Sequence, residues 1–293
     1  MAGTKRSWEG RELRISDSPA RSAMASTTDS PTQIQSIFST FRDELDQHHD
    51  RRERVIKTSR DITALSKKII FSLQRIRTIH APIPPSIAKE TSSRFAQITD
   101  LFRAVIPDVT GVNRWRYQRQ LSGAIQEFIE ALSFHHYLEH QRLISRAEVA
   151  AHLPAEILVT EEDYLLGLFD LTGEMMRFAV TALSGGGQTK SDGDKDKEAG
   201  EEAHADGDEG LSHGPRLQDS QAGLVVDLRE LRSLFEALSV PRRHNMLRDM
   251  GKKVDVMQSS VEKVERAAYG ILVRGSERPA GWRPDLSAVE TEY

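Results

Sequence analysis

The sequence predicts an all-α protein, an elongated bundle of about six to seven helices. Three observations carry that prediction. Apolar residues recur at helical spacing through most of the chain, no segment shows the strict alternation of a half-buried strand, and Gly- and Pro-rich breaks fall between the periodic stretches. At 293 residues the chain is long enough to bury a sizeable core.

The elements follow in order. Residues 1–30 are rich in Ser, Thr, Arg and Asp and lack periodicity, so a disordered tail is expected. Lys5-Arg6 is too short a basic cluster to establish a nuclear signal. A helical pattern runs from about Pro31 to His80. Ile34, Ile37, Phe38, Phe41 and Leu45 open it, and Val55, Ile62, Leu65, Ile69, Leu73 and Ile76 continue it. A helix that long outreaches a small core, which points to a long bundle or an oligomeric seam. Ala81-Pro82-Ile83-Pro84-Pro85 breaks the pattern. Further helices are predicted over about Ser86–Val105 and Asn113–Gln141. A short one begins at Ser145, where Ser145 and Glu148 have capping-box spacing, and Pro154 ends it. Thr160 caps the next, with Glu161, Glu162 and Asp163 in its first turn, and Ser184-Gly185-Gly186-Gly187 stops it. Residues 184–214 hold nine acidic and three basic residues and few apolar ones, so they read as a disordered acidic insertion. Helices resume near Ala222–Ser239 and Pro241–Arg274, the second with proline at a permitted first position. The predicted organisation is one helical domain over 31–279, interrupted by the insertion, and an irregular tail over 280–293.

Composition excludes several chemistries. There is no cysteine, which removes disulfides, thiolate zinc sites and cysteine nucleophiles. The first residues hold no apolar run of the secretory kind. The most apolar stretch, Leu165–Leu183, is interrupted by Asp170, Glu174 and Arg177, so no membrane span is expected. The expectation is a soluble intracellular chain. Its net charge of −4 is dominated by the insertion, and the near-neutral remainder is compatible with a basic surface.

The residues that carry chemistry are four carboxylates on two apolar helices. Glu127 and Glu130 are three apart, Asp170 and Glu174 four apart, so each pair shares a helical face. Acids in apolar surroundings are costly unless a cation or proton compensates them. Gly123 lies one turn before Glu127, and Gly167 about one turn before Asp170. A helical glycine costs about 1 kcal/mol against alanine, and either helix–helix contact or room for a ligand would justify it; the matched placement favours room. Mg²⁺ takes oxygen ligands and is commonly held by carboxylates together with substrate phosphate. Spacing alone leaves two readings open: a divalent-metal site, and acids that pair with arginines or face solvent, the second being the commoner arrangement.

Several ordered motifs bear on that choice. They are Ser59-Arg60-Asp61-Ile62-Thr63 with Ser66-Lys67, Gln126-Glu-Phe-Ile-Glu130-Ala-Leu-Ser-Phe134, Asp163-Tyr-Leu-Leu-Gly-Leu-Phe-Asp170-Leu-Thr-Gly-Glu174-Met-Met-Arg177, and Val261-Glu-Lys-Val-Glu-Arg-Ala-Ala-Tyr269 with Val273-Arg-Gly-Ser-Glu277. Over about residues 34–183 and 222–279 the chain closely resembles the translin family, and within it the TRAX branch. The resemblance implies an all-helical fold and a hetero-octamer with translin. It also implies a Mg²⁺-dependent endoribonuclease, a hydrolase of single-stranded RNA, with single-stranded DNA as a further ligand and residence in cytoplasm and nucleus. It implies catalytic roles for Glu127, Glu130 and Asp170, with Glu174 as a fourth metal-binding acid. Translin resembles the motif but lacks the acid at the position of Asp170, so that residue marks the catalytic branch. Metal-activated water attacking in line would leave 5′-phosphate and 3′-hydroxyl ends. The alternative is a non-catalytic nucleic-acid-binding scaffold that stabilises or regulates translin. The acidic insertion departs from the family pattern.

Three other clusters compete for attention. Asn113-Arg-Trp-Arg-Tyr-Gln-Arg119 mixes cations with aromatics, which nominates Arg114, Arg116 and Arg119 for phosphate contact and Trp115 or Tyr117 for base stacking. The cations between Arg51 and Lys68 are interspersed with Asp50, Glu53 and Asp61 and read equally well as a solvated face. His135, His136 and His140 offer an i,i+4 pair but no clear third ligand, so no zinc site is expected.

Overall fold

The computed structural model describes residues 33–77, 79, 81–185, 217, 219–240 and 250–274. All regular structure among them is helical. The elements are α1 (Gln33–Leu73), α2 (Pro85–Val105) with a short 3₁₀ turn at Ile106–Asp108, α3 (Asn113–Arg116), α4 (Gln118–His140), α5 (Arg146–Ala151), α6 (Glu161–Gly185), α7 (Asp219–Glu236) and α8 (Met250–Arg274). The all-α prediction holds. The expected disordered tail at 1–30, nearly all of the acidic insertion, the start of the last helix at Pro241 and the tail at 280–293 lie outside the described residues.

The chain divides into two units, Met1–Gln47 and His48–Tyr293. Within the first, the opening of α1 leaves Ile34, Ile37, Phe38, Phe41 and Leu45 exposed. The second unit holds the core. There α1 buries Val55, Ile62 and Ile69, seven apart and thus on one face. The helix stops at Leu73, earlier than the periodicity predicts. Ile76, Ile79 and Ile83 are buried along the irregular path through Pro82 and Pro84, and Ile87 is buried in the first turn of α2, so the connection itself contributes to the core. Phe95, Phe102 and Phe128 meet edge to face with ring centroids 5.8–6.1 Å apart, tying α2 to α4.

The single helix predicted over Asn113–Gln141 is two. Tyr117 leaves helical geometry at φ −106°, ψ 6°, turning its ring into the core and its hydroxyl onto His48 Nδ1 at 2.8 Å. Burial of that ring outweighs the helical continuity that the pattern favoured. The capping box of α5 forms as predicted: Glu148 N–H donates to Ser145 Oγ and Ser145 N–H to the Glu148 carboxylate. Thr160 Oγ1 accepts from Asp163 N–H at 3.0 Å and starts α6.

Contacts between α4 and α6 climb both helices together. Asp163 meets Ser122, Gly167 faces Ile129 and Phe178 meets Phe134. The two helices therefore run in the same direction, with residues 141–160 and α5 carrying the chain back to the starting level.

Candidate metal centre

Parallel packing of α4 and α6 sets the two acidic pairs at one level. Glu127, Glu130, Asp170 and Glu174 line a single cleft of about 590 Å³. A further wall comes from α1, whose residues Lys67, Ile70 and Phe71, with Gln74 one turn on, present one helical face; Val256 of α8 also lines the cleft. The predicted pairs thus face one another.

Each acid has a different environment. Glu127 Oε1 is 3.3 Å from Lys67 Nζ, and burial raises its pKa against that lysine's pull. Asp170 Oδ1 is paired with Lys253 Nζ of α8. Glu174 accepts from Gln74 Nε2 at 2.8 Å and from Arg177 Nη1 at 2.9 Å, while the same Gln74 amide reaches the Glu174 carbonyl oxygen at 2.9 Å. Glu130 is only 9% exposed, and no ion pair reaches it among the described residues. Burial pushes its pKa up to about 8, and the negative charges of Glu174, Asp170 and Glu127 add to the shift against Lys253. At neutral pH Glu130 therefore keeps a proton while its three neighbours hold cations.

Of the two readings left open by the spacing, the pairing of the acids with cations is what the structure shows. Three of the acids pair with Lys67, Lys253 and Arg177, and all four share one cleft around Glu130, which a proton rather than a cation compensates. Among the described residues no group of three or more His, Asp or Glu side chains is positioned to enclose a metal ion. The donor set nonetheless suits a hard divalent cation: four carboxylates, only oxygen ligands, and a buried glutamate that lacks a counter-charge.

The glycines correct one expectation. A Cβ at Gly167 would lie 2.7 Å from Ile129 Cγ2 and 3.0 Å from the Gln126 carbonyl oxygen, so Gly167 serves close helix–helix approach rather than ligand space. Gly123 is exposed and faces nothing within 4 Å. The glycine beside the cleft is Gly173, whose added Cβ would also meet nothing within 4 Å.

A model of the translin family matches residues 50–275. The chain belongs to the translin family. It is 29% identical to translin-associated protein X of Rattus norvegicus over 93% of this chain and 89% of that protein. It is 25% identical to the translin-associated protein X homolog of Schizosaccharomyces pombe, over 82% and 89% of the two chains. Among solved structures, apo-NeC3PO superimposes with a TM-score of 0.55 at 16% identity, covering 84% of this chain and 98% of that one; AfC3PO gives 0.53 at 17%, covering 81% and 98%. These structural neighbours share the fold.

Elsewhere in this translin-family chain the nominated cations are partly engaged. Arg116 lies 3.0 Å from His48 Nε2, and Arg114 donates to the Ala155 carbonyl oxygen at 3.4 Å. Arg119 is exposed, as is Trp115, whereas Tyr117 is buried and unavailable for stacking. On α1, Arg54 forms a two-pronged pair with Asp108, and Arg51 is 3.5 Å from the same acid. His136 and His140 rings lie 4.5 Å apart, and His135 pairs with Glu139 at 3.4 Å. Reading the sequence missed Gln74, Phe71 and Lys253 at the cleft. The signal for the first two was the i, i+3, i+4, i+7 face of Lys67, Ile70, Phe71 and Gln74; Lys253 left none, because nothing local ties it to Asp170.

Proposed function

We propose that this chain is the catalytic subunit of a Mg²⁺-dependent endoribonuclease that assembles with translin and hydrolyses single-stranded RNA. The observation that carries the reading is Glu130, buried without a counter-charge among three further acids in one cleft. Similarity to translin-associated protein X over most of the chain supports it. The exposed apolar opening of α1 supports assembly, since Ile34, Ile37, Phe38, Phe41 and Leu45 have no cover within the first unit. The reading extends to a hetero-octamer and to action in cytoplasm and nucleus, with single-stranded DNA as a further ligand.

Glu127, Glu130 and Asp170 would hold the metal, with Glu174 as fourth ligand or as the group that orients the attacking water. When bound, Mg²⁺ supplies Lewis acidity, easing ionisation of water and offsetting charge on the phosphoryl group. To act as a ligand Glu130 would have to be deprotonated, its proton passing to solvent. Lys67 and Lys253, which now neutralise Glu127 and Asp170, are the cations that would be near a phosphodiester bound at the cleft. Gln74 fixes Glu174 by holding both its carboxylate and its backbone carbonyl. Attack in line with the departing 3′-oxygen leaves 5′-phosphate and 3′-hydroxyl ends.

A second reading, a nucleic-acid-binding scaffold without catalysis, is favoured by the lysine pairs on Glu127 and Asp170. One experiment separates them. The chain is coexpressed with translin, and a single-stranded RNA is incubated with the complex in Mg²⁺ or EDTA, for wild type and Asp170→Asn. Cleavage that needs Mg²⁺, yields 5′-phosphate ends and disappears in the variant is expected. Intact RNA, or 2′,3′-cyclic phosphate products, overturns the proposal; retained RNA without cleavage establishes the scaffold.

A further inference from the structure

Phe71 is 74% exposed, although it is an aromatic residue on a helix that buries its other large apolar groups nearby. Ile69, Ile70 and Leu73 around it are all buried. Phe71 belongs to the α1 face that lines the acidic cleft, one turn after Lys67 and about one turn before Gln74. Its ring makes no aromatic contact among the described residues. An open apolar ring is thus set at the mouth of a cleft whose floor is acid and whose rim carries Lys67 and Arg177, both well exposed.

That juxtaposition matches the three surfaces of a nucleotide. The cationic rim suits phosphate, the acidic floor suits a phosphate-bound cation, and a free ring face suits a base. An aromatic face accepts a base only when the base is unpaired and splayed out, because a duplex keeps both faces of each base stacked. We propose that Phe71 is the specificity-determining residue of the cleft, a platform on which one unpaired base stacks beside the phosphodiester to be cut. This rests on the nuclease reading for the identity of the ligand. It adds the physical reason for choosing single strands over duplex: base stacking at Phe71 supplies binding that a paired strand cannot obtain.

The test uses the full chain coexpressed with translin and a single-stranded RNA carrying 2-aminopurine, titrated in EDTA so that binding is read without cleavage. The wild type should quench the fluorescent base and bind the blunt duplex of the same sequence more weakly. Phe71→Ala should weaken single-strand binding by about 5- to 150-fold and lose the quench, since a stacked base is lost. Phe71→Tyr should keep both, and Phe71→Leu should lose the quench. With Mg²⁺, Phe71→Ala should raise KM with little change in kcat. Unchanged affinity and quench in Phe71→Ala overturn the proposal. So does full rescue by Phe71→Leu, which would make the site apolar packing alone. A change in the mass of the assembly with the quench retained also overturns it, since Phe71 would then be a subunit contact. Absence of cleavage by a wild type that still quenches removes the nuclease reading and leaves the stacking site standing.

Discussion

Replacing Glu130 by glutamine should stabilise the metal-free protein, by an amount that depends on pH. Glu130 titrates near 8 in the folded chain, against an ordinary value of 4.5. Below pH 4.5 it is protonated whether the chain is folded or unfolded, and it costs nothing. Between 4.5 and 8 the unfolded chain has released the proton and the folded chain retains it, so stability falls as pH rises; above 8 the loss levels off. At pH 7 the deficit is on the order of 3 kcal/mol, and on the high-pH plateau about 5 kcal/mol, with one pKa unit taken as 1.36 kcal/mol. Glutamine has similar shape and no charge to titrate. Urea denaturation in EDTA, from pH 4 to 8.5, should therefore show Glu130→Gln gaining on the wild type steadily as pH rises. The pH-dependent part of its advantage should be absent near pH 4 and a few kcal/mol at pH 8. The glutamine's own hydrogen bonding adds only a constant offset, so the slope is the diagnostic quantity. A difference between the two proteins that is the same at pH 4.5 and pH 8 would show that Glu130 is not held protonated and would remove its isolation as an argument. Added Mg²⁺ should stabilise the wild type by mass action and the variant far less.

Three further outcomes follow from the same geometry. Asp163 is buried and accepts from Gln118, Ser122, Gln126 and Thr160, so Asp163→Ala strands several donors, although the backbone N–H that Thr160 caps remains; a loss on the order of 3 kcal/mol is expected in thermal or urea unfolding. Gly167→Ala should destabilise by about 1–3 kcal/mol despite alanine's better helix propensity, because its methyl meets Ile129 and the Gln126 carbonyl, whereas Gly173→Ala should stabilise by about 0.5–1 kcal/mol; similar melting shifts for both would contradict the close α4–α6 approach. Arg119→Ala should lower the salt dependence of single-stranded RNA binding by about 0.7 in log–log slope, and an unchanged slope removes Arg119 from the phosphate contacts.

The sequence by itself determined the helices and the acids. Helical periodicity and the absence of strand alternation established an all-α chain, and local chemistry located the capped starts at Ser145 and Thr160, because caps depend on residues only three apart. Spacing also established that Glu127 shares a face with Glu130 and Asp170 with Glu174. What periodicity cannot encode is competition from the core. It missed the break at Tyr117 and the early end of α1 at Leu73, where a buried ring and a run of isoleucines outweighed helical continuity. Only the tertiary structure decided that α4 and α6 run in parallel with Gly167 against Ile129, which brings the two acidic pairs to one level. It alone placed Lys253 on Asp170, 83 residues away, and left Glu130 without a partner. The physical reason is range. A helix turn relates residues three or four apart, whereas the charge balance of a buried acid depends on every element packed around it, and that is set by how the helices assemble.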